Sequence, residues 1–584
     1  MKIKWLAIGI ILLCIETYSI PSTAQQPKED QPTLRGNWLY VGGSGPGNYS
    51  KIQDAINVSS DGDIVFVYDD SAPYYESLII NTSISLLGEE KTTTILNGSN
   101  QIKEVVSITA DHVKISGFTI INYGDDAISV HADYTQITQN ILGPKISDGW
   151  SGQGISLMHA NHSLIEDNEI SHMFNSIEIL YSHHNVLRNN RLNSSWIYGI
   201  WLGEATDNEV VGNMVDTGSP VDMAGSYMGI RLTSADNNTV MNNTMISRDA
   251  ACVRGMMLWE SDNNTVTENR FFSCGYDWYN AENNTLSGNM VNNKSLVYCI
   301  GQSGLMITDA GQVVLIQCPD STIQGLTLQN TPKAIVLLNS DNCRISNCTC
   351  LNNENGIYTD SSKNIQIRDN MLKNNEEGIY LEAGSTHATI VGNQVQDSLY
   401  IGIYSNAASC DIQGNIIYNN SYGIMVLGVF GVKNSIIANK VTHNWDGIVL
   451  VSISTIVTQN NIKQNSNGIH IIGGSIGNHI LSNNISQNVC GINITHEPQT
   501  PYSFSNWILK NNFIGNTWHI SFDSSLNNHF ARNYWEGDLL PPHRIDGMLS
   551  LYKVHPWTGG VIWEKHIPWI YFDLFPALRP YNIE

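Results

Sequence analysis

The sequence predicts an all-β chain folded as a parallel β-helix, a single-stranded solenoid of about twenty coils with a helical cap at one end and an aromatic cap at the other. Three observations predict it: a pattern recurring every 21 to 24 residues, short strands in which apolar side chains alternate, and a polar surface supplied by asparagine in place of charge.

The repeat is carried by two markers that move in step. Gly-Ile recurs at Gly356, Gly378, Gly402, Gly423, Gly447, Gly468 and Gly491, with gaps of 22, 24, 21, 24, 21 and 23. An asparagine follows at Asn370, Asn393, Asn415, Asn439, Asn461 and Asn484, with gaps of 23, 22, 24, 22 and 23. Upstream, Gly154-Ile155, Ser176-Ile177, Gly199-Ile200, Gly229-Ile230 and Gly255-Met256 head looser units. Units this short cannot each enclose a core, but stacked in parallel they share one. An inward corner asparagine bonds its neighbours' backbones and the asparagines above and below, which makes the marker a ladder. About twenty coils between Asn81 and Asn533, at about 4.8 Å each, give a rod of order 95 Å.

Composition agrees. The chain has 584 residues, 53 acidic against 30 basic, and only 14% are charged, against about 25% in an average soluble chain. By count 66 asparagines and 48 glycines take that place, which disfavours long helices. A net charge of −23 repels phosphate and excludes a nucleic-acid binder, while 42% hydrophobic residues exclude disorder.

In chain order, Met1-Lys2-Ile3-Lys4, an apolar run from Trp5 to Ile15 and Ser22-Thr23-Ala24 read as a signal peptide over residues 1–24, too short to span a membrane. The expectation is a secreted or cell-surface protein with no membrane span after signal removal. Residues 25–36 read as a flexible linker and 37–80 as the N-terminal cap and first strands, with a Ser50-capped helix through Ile52, Ala55 and Ile56 ahead of the first strand, Asp63–Val67. Residues 81–534 hold the coils. Residues 535–584, with Trp535, Trp557, Trp563, Trp569, Tyr571, Phe572 and Phe575, read as the C-terminal cap. Cys252, Cys274, Cys299, Cys318, Cys343 and Cys348 fall at gaps of 22, 25, 19, 25 and 5, which fits thiols stacked inside a coil better than a metal site, with a disulfide left open.

Residues between inward Ile and Leu point outward and form columns along the rod. In five consecutive Gly-Ile strands these are Ser156 and Met158, Glu178 and Leu180, Trp201 and Gly203, Arg231 and Thr233, and Met257 and Trp259, with His159, Tyr181, Glu204, Ser234 and Glu260 at the next corner. Carboxylates beside indole rings suit a sugar polymer. Glu178, Glu204 and Arg231 are the candidate catalytic groups, and Trp201, Tyr181, Trp259, Glu260 and His159 the candidate substrate contacts. Glu178 and Glu204, one coil apart, are expected near the roughly 5 Å of a retaining pair, and Glu204 and Glu260 near inverting range. A second feature is the apolar outward series Met425, Leu427, Val449, Val451 and Ile472, read as a protein contact or as a strip covered by the C-terminal segment.

The opening Tyr40-Val41-Gly42-Gly43-Ser44-Gly45-Pro46-Gly47-Asn48-Tyr49, then Ile52-Gln53-Asp54-Ala55-Ile56 and Gly62-Asp63-Ile64-Val65, resembles the start of exported right-handed parallel β-helix proteins of the NosD-like, CASH-domain group. The Gly-Ile-x-Leu and Asn-Asn-x-Ile units and Asp309-Ala310-Gly311-Gln312-Val313-Val314-Leu315-Ile316 are similar to its repeats. The resemblance covers nearly all of the mature chain and implies a right-handed, pectin-lyase-like solenoid of the kind common in archaea. Gly124-Asp125-Asp126 resembles the Asp-Asp motif of polygalacturonases, but Gly152-Gln153-Gly154 stands where they would need Gly-His-Gly. The group's copper-related name directs attention to His159, His162, His172, His183, His184, Met158 and Met173; the label alone is not evidence of metal, and the expectation is no metal and no cofactor. The functional expectation is binding of carbohydrate or polysaccharide at the cell exterior. A polysaccharide hydrolase or lyase at the Glu/Trp face and a structural or adhesive surface protein are the alternatives.

Overall fold

The computed structural model describes residues 36–583 apart from 102–103, 144–151, 194, 218–227, 249–253, 282, 429–432, 497–500, 538–541 and 555–560. The expected signal peptide and nearly all of the linker lie outside the described residues, as does Cys252.

Strands of two to seven residues pair in parallel with the strand one coil later, as in Ile379↔Ile403 and Ile403↔Ile424. The inward isoleucines Ile357, Ile379, Ile403, Ile424, Ile448, Ile469 and Ile492 are fully buried one above another. At the corners the asparagine ladders form as the repeat requires. Asn439 donates from N and Nδ2 to Asn460 Oδ1 at 2.8 and 3.0 Å, and Asn460 does the same to Asn483 at 3.0 and 2.9 Å. The ladder therefore runs through Asn460 and Asn483 rather than Asn461 and Asn484, which stand on the following strands. In each doublet the first asparagine turns inward because the residue before it, Gln459 or Ser482, takes a left-handed φ of 59° or 54° that swings the chain round the corner.

The coils are divided between two stacks. The Gly-Ile sheet of the first has nine strands, ending at Gly275–Tyr279, and a Gly-Ile sheet of eleven strands runs through the second, from Lys294–Ile300 to Trp518–Phe522. The strand Met290–Val291 turns back antiparallel onto Ser295 and Lys294 and breaks the progression. The first stack's inward Tyr276 and Trp278 then meet the outward side of the second stack's sheet: Tyr298 packs edge-on against both, at 6.1 and 6.4 Å, and Val314 and Val336 are fully buried in the first stack's core. The flank of one solenoid thus plugs the end of the other, which protects that end from edge pairing. An ion cluster spans the joint. Arg254 contacts Asp277 at 3.1 Å and Glu354 at 2.5 Å, and Lys333 contacts Asp277 at 2.5 Å. Burial pushes the Glu354 carboxyl up to about 7 against the pull of Arg254.

The ends differ in detail from expectation. A strand at Trp38–Val41 precedes the helix and pairs with Ile64–Val67. The helix, Ile52–Val58, has no capping bond from Lys51 or Ser50; Glu76 reaches over to accept from Ile52 N and Gln53 N at 2.9 and 3.0 Å, leaving Ser50 no N–H to cap. At the C-terminal end a long antiparallel hairpin, His543–Val554 with Val561–Asp573, lies on the last coils through Tyr571, whose ring meets Phe522 and Phe530 at 5.0 and 5.4 Å. Its buried Asp573 ends a ladder, accepting from Asn533 N, Asn533 Nδ2 and Trp535 Nε1 at 3.0, 3.2 and 3.2 Å. These contacts are with the last coils, whereas in the apolar strip Val449 is fully buried and Met425, Leu427, Val451 and Ile472 are half-buried. Seven of the eight described cysteines are buried; burial raises the thiols of Cys343 and Cys490 to about 11.

Candidate functional site

The first stack's Gly-Ile sheet presents the candidate residues. Its backbone register aligns Ser129, Ser156, Glu178, Trp201, Arg231, Met257 and Asp277 in one outward column. Each is flanked by inward residues such as Ile177 and Ile179, or Ile200 and Leu202, which are fully buried. Alternation therefore fixes which side chains leave the core.

Trp201, Arg231 and Trp259 are brought together. Trp201 Nε1 donates to Thr233 Oγ1 at 3.2 Å, and Arg231 Nε donates to the same oxygen at 2.9 Å. Arg231 Nη1 donates to the Tyr198 hydroxyl at 2.9 Å, and its guanidinium carbon lies 5.3 and 5.5 Å from the centres of the Tyr198 and Trp259 rings. Trp259 stacks on Tyr279 at 4.4 Å. Three aromatic rings and a guanidinium thus make one half-exposed surface of the kind that holds sugar rings by stacking and hydroxyls by charge-assisted bonds.

His159, Tyr181, Glu204 and Glu260 form the exposed corner column with Ser234, all at left-handed φ between 48° and 53°. Tyr181 stacks on His159 at 5.2 Å, and the Glu204 charge beside it raises its phenol. The register corrects one expectation. Trp201 is the partner of Glu178, and Glu204 follows three residues later, so it is displaced about 10 Å along the strand as well as one coil down the stack. Glu178 and Glu204 are not a one-coil pair, because the corner residue belongs to a different column. Glu204 and Glu260 share the corner column with Ser234 between them, two coils apart as expected.

A second column stands two residues ahead of the first inward isoleucine of each strand; in the sequence Asp126 and Gln153 stand out in another connection and are not aligned as a column. It runs Asp126, Gln153, Asn175, Tyr198, in register with Ile128, Ile155, Ile177 and Ile200. Gln153 N donates to Asp126 Oδ1 at 3.1 Å, Asn175 N to Gln153 Oε1 at 3.1 Å, and Asn175 Nδ2 to Glu178 Oε2 at 3.2 Å. Burial pushes Asp126 up to about 7, with Asp125, Glu178 and Glu104 adding to the rise, and burial raises Glu178 against the Asn175 bond. The arithmetic that found Glu178 also finds these residues when it is extended to the strand's leading edge.

A family model described as periplasmic copper-binding protein (NosD) matches residues 86–271 and 299–455. A cell surface glycoprotein of Methanothermus fervidus is 27% identical over 201 residues, which cover 33% of this chain and 33% of that protein. The match thus spans about a third of the relative's length. Among solved structures, DFA-IIIase of Arthrobacter chlorophenolicus A6 in complex with DFA-III aligns over 61% of this chain and 94% of its own at 11% identity and a TM-score of 0.33. The catalytic domain of a GH87 alpha-1,3-glucanase aligns over 70% and 65% at 12% identity and 0.29. Likenesses this distant carry no argument about the site.

The family description poses the question of copper. His112, Tyr134, His162 and His184 stack in one column at 4.7, 4.9 and 5.0 Å with rings within 11° of parallel. Parallel rings hold their nitrogens side by side, not converged on one point about 2 Å from each. Met173 is buried with its sulfur against the Tyr123 hydroxyl, and among the described residues no three His, Cys, Asp or Glu side chains converge. These residues do not fit a copper centre.

Proposed function

This chain belongs to the NosD family, whose model matches more than half of it, and from that premise we propose that it is an exported β-helix protein that binds a saccharide chain along the first stack's Gly-Ile face. The observation that carries the reading is the Tyr198, Trp201, Arg231 and Trp259 surface next to the Asp126, Gln153, Asn175 and Glu178 network. Aromatic faces, a guanidinium and hydrogen-bonding amides are the groups that recognise a polyhydroxylated ring, and the columns extend along the direction in which a polymer would lie. Tyr181, His159, Glu204 and Glu260 line the adjoining corner as further polar contacts. The leader-like start of the sequence, the periplasmic family description and the surface-glycoprotein relative support a place outside the cytoplasm. Met425, Leu427 and Val451 are the proposed protein contact of the second stack, with the fully buried Val449 next to Met425 on the following coil.

The test is a glycan array probed with the wild type and with Trp201→Ala/Trp259→Ala. At about 1 to 3 kcal/mol per aromatic stack, the double variant is expected to lose at least tenfold in affinity for the retained glycans. Unchanged binding by the double variant would sink the assignment of this face.

A further inference from the structure

Six carboxylates among the described residues are buried: Asp63, Asp216, Asp277, Asp446, Asp573 and Glu178. Asp63 accepts from two backbone N–H groups, Asp216 and Asp277 pair with arginine or lysine, Asp573 ends its ladder, and Glu178 accepts from the Asn175 amide. Asp446 holds an imidazole, and that imidazole holds a hydroxyl. Asp446 Oδ2 lies 2.7 Å from His470 Nδ1, and His470 Nε2 lies 2.8 Å from Thr495 Oγ1. Asn467 Nδ2 donates to Asp446 Oδ1 at 2.6 Å and fixes the carboxylate from its other side. The carboxylate on Nδ1 assigns the ring proton to that nitrogen, so Nε2 accepts and the Thr495 hydroxyl donates. The three groups stand on consecutive coils of the second stack's Gly-Ile sheet. Asp446 is on the leading edge, in register with Asn467; His470 follows Val449 in the outward column; Thr495 is two residues beyond Asn493, the register partner of His470. His470 and Thr495 are half-buried, so the relay ends at the surface.

We propose that Thr495, His470 and Asp446 are the nucleophile, base and orienting carboxylate of a site that hydrolyses carboxylic esters. Carboxylate, imidazole and hydroxyl, in this order and at these distances, are what nucleophilic acyl transfer needs on any fold. The column of Thr495 supplies the substrate class. Ile472 stands one coil before it and Val451 one coil before that, both apolar and half-buried. An acyl chain laid on this end of the apolar strip brings its carbonyl carbon to Thr495 Oγ1. Asn493, on the same outward face, is the amide that the register sets beside the hydroxyl, where charge develops on the carbonyl oxygen. Thr495 Oγ1 bonds to the carbonyl carbon as His470 Nε2 takes the hydroxyl proton. The ester C–O bond breaks, and that proton goes to the leaving alcohol. A water then gives a proton to Nε2 and bonds to the acyl carbon, the bond to Oγ1 breaks, Oγ1 takes the proton back and the acid leaves. One water is consumed and no other reactant enters. The site lies on the second stack and does not depend on the saccharide face of the first.

The experiment follows p-nitrophenol release from p-nitrophenyl acetate, butyrate and octanoate by the full chain, and separately locates by peptide mass spectrometry the residue that a fluorophosphonate labels. The expected result is turnover above the buffer rate, faster with butyrate than with acetate. Thr495→Val should lower kcat/KM by at least about 100-fold and Thr495→Ser should keep at least about a tenth of it, both variants being checked for native circular dichroism. The fluorophosphonate should bond to Thr495 Oγ1 with loss of fluoride in the wild type and not in His470→Gln, which a polar brace on the surface would not give. No release above buffer, equal rates in the wild type and Thr495→Val, or a label on any residue other than Thr495 overturns the proposal. Ile472→Ser should cancel the preference for butyrate, and an unchanged preference overturns the assignment of the acyl end.

Discussion

Replacing Asn460 and its neighbour Asn461 separately by alanine tests the ladder at single-residue resolution. Asn460 accepts from Asn439 N and Nδ2 at 2.8 and 3.0 Å and donates from Nδ2 to Ile436 O at 2.8 Å, Thr458 O at 3.0 Å and Asn483 Oδ1 at 2.9 Å. Asn439 Nδ2 keeps Ile412 O as a partner, and Asn483 Oδ1 keeps Asn460 N. Asn460→Ala therefore strips one backbone donor, Asn439 N, and the side-chain bonds of two carbonyls. At about 1 kcal/mol each, the low end of the cost of an unmet buried group, the loss is about 3 kcal/mol. Asn461 is an exposed strand residue, for which a change within about 0.5 kcal/mol is expected. A solenoid of this length opens locally, so a single global melting point is the wrong readout. Hydrogen exchange of Ser435–Ile437, Lys440–Thr442 and Ile456–Thr458 should accelerate about 150-fold in Asn460→Ala and less than threefold in Asn461→Ala. Equal acceleration in the two variants, or less than tenfold in the first, would refute the reasoning that the corner asparagines hold the coils.

Asp573→Ala takes the acceptor from Asn533 N, Arg532 N and Trp535 Nε1, while Asn533 Nδ2 keeps Ile508 O, so the C-terminal hairpin should detach at least tenfold more readily, seen as faster proteolysis within 543–573 than in the wild type. Arg254→Met leaves Asp277 with Lys333 alone and Glu354 without its cation, a loss of about 3 kcal/mol at the joint. Because Glu354 is ionised only above about 7, exchange in Gly275–Tyr279 should rise more at pH 8.5 than at pH 5.5. Asp126 is raised to about 7, so the folded state keeps a proton that the unfolded chain releases from about pH 4 upward, and this group's share of stability falls as pH climbs from about 4 to 7. Asp126→Asn mimics the protonated form and should raise the thermal transition of the first stack at pH 8 with little change at pH 4; equal shifts at both would contradict the assignment.

The coil, its period and its outward columns were legible because periodicity maps directly onto one repeated geometry. Glu178, Trp201 and Arg231 stand in the column that alternation gives them. What was not legible depends on where chain segments meet in space. No local pattern distinguishes Asn460 from Asn461, since both keep the period and only the left-handed residue before the corner decides which one turns inward. The joint was hidden for a similar reason. Val314 and Val336 read as outward residues of an ordinary strand, and their burial follows from the first stack ending against them. Asp126 was seen only as half of an Asp-Asp motif, because its neighbours Gln153 and Asn175 carry no charge to draw the eye.

The scarcity of charge turns these contacts into a criterion. In a stack, identical positions recur about every 4.8 Å, so a charged column would repel itself, and asparagine, serine and tyrosine fill such places at no electrostatic cost. Charge that persists in buried positions must then have a partner or a task. At the joint Asp277 has two cations, and at the C-terminal end Asp573 has a ladder of donors. Glu178 has neither, while the half-buried Asp126 draws only on the same amide network. That contrast sets Glu178 apart from the other buried carboxylates, in the outward column it shares with Trp201 and Arg231 on the first stack's Gly-Ile face.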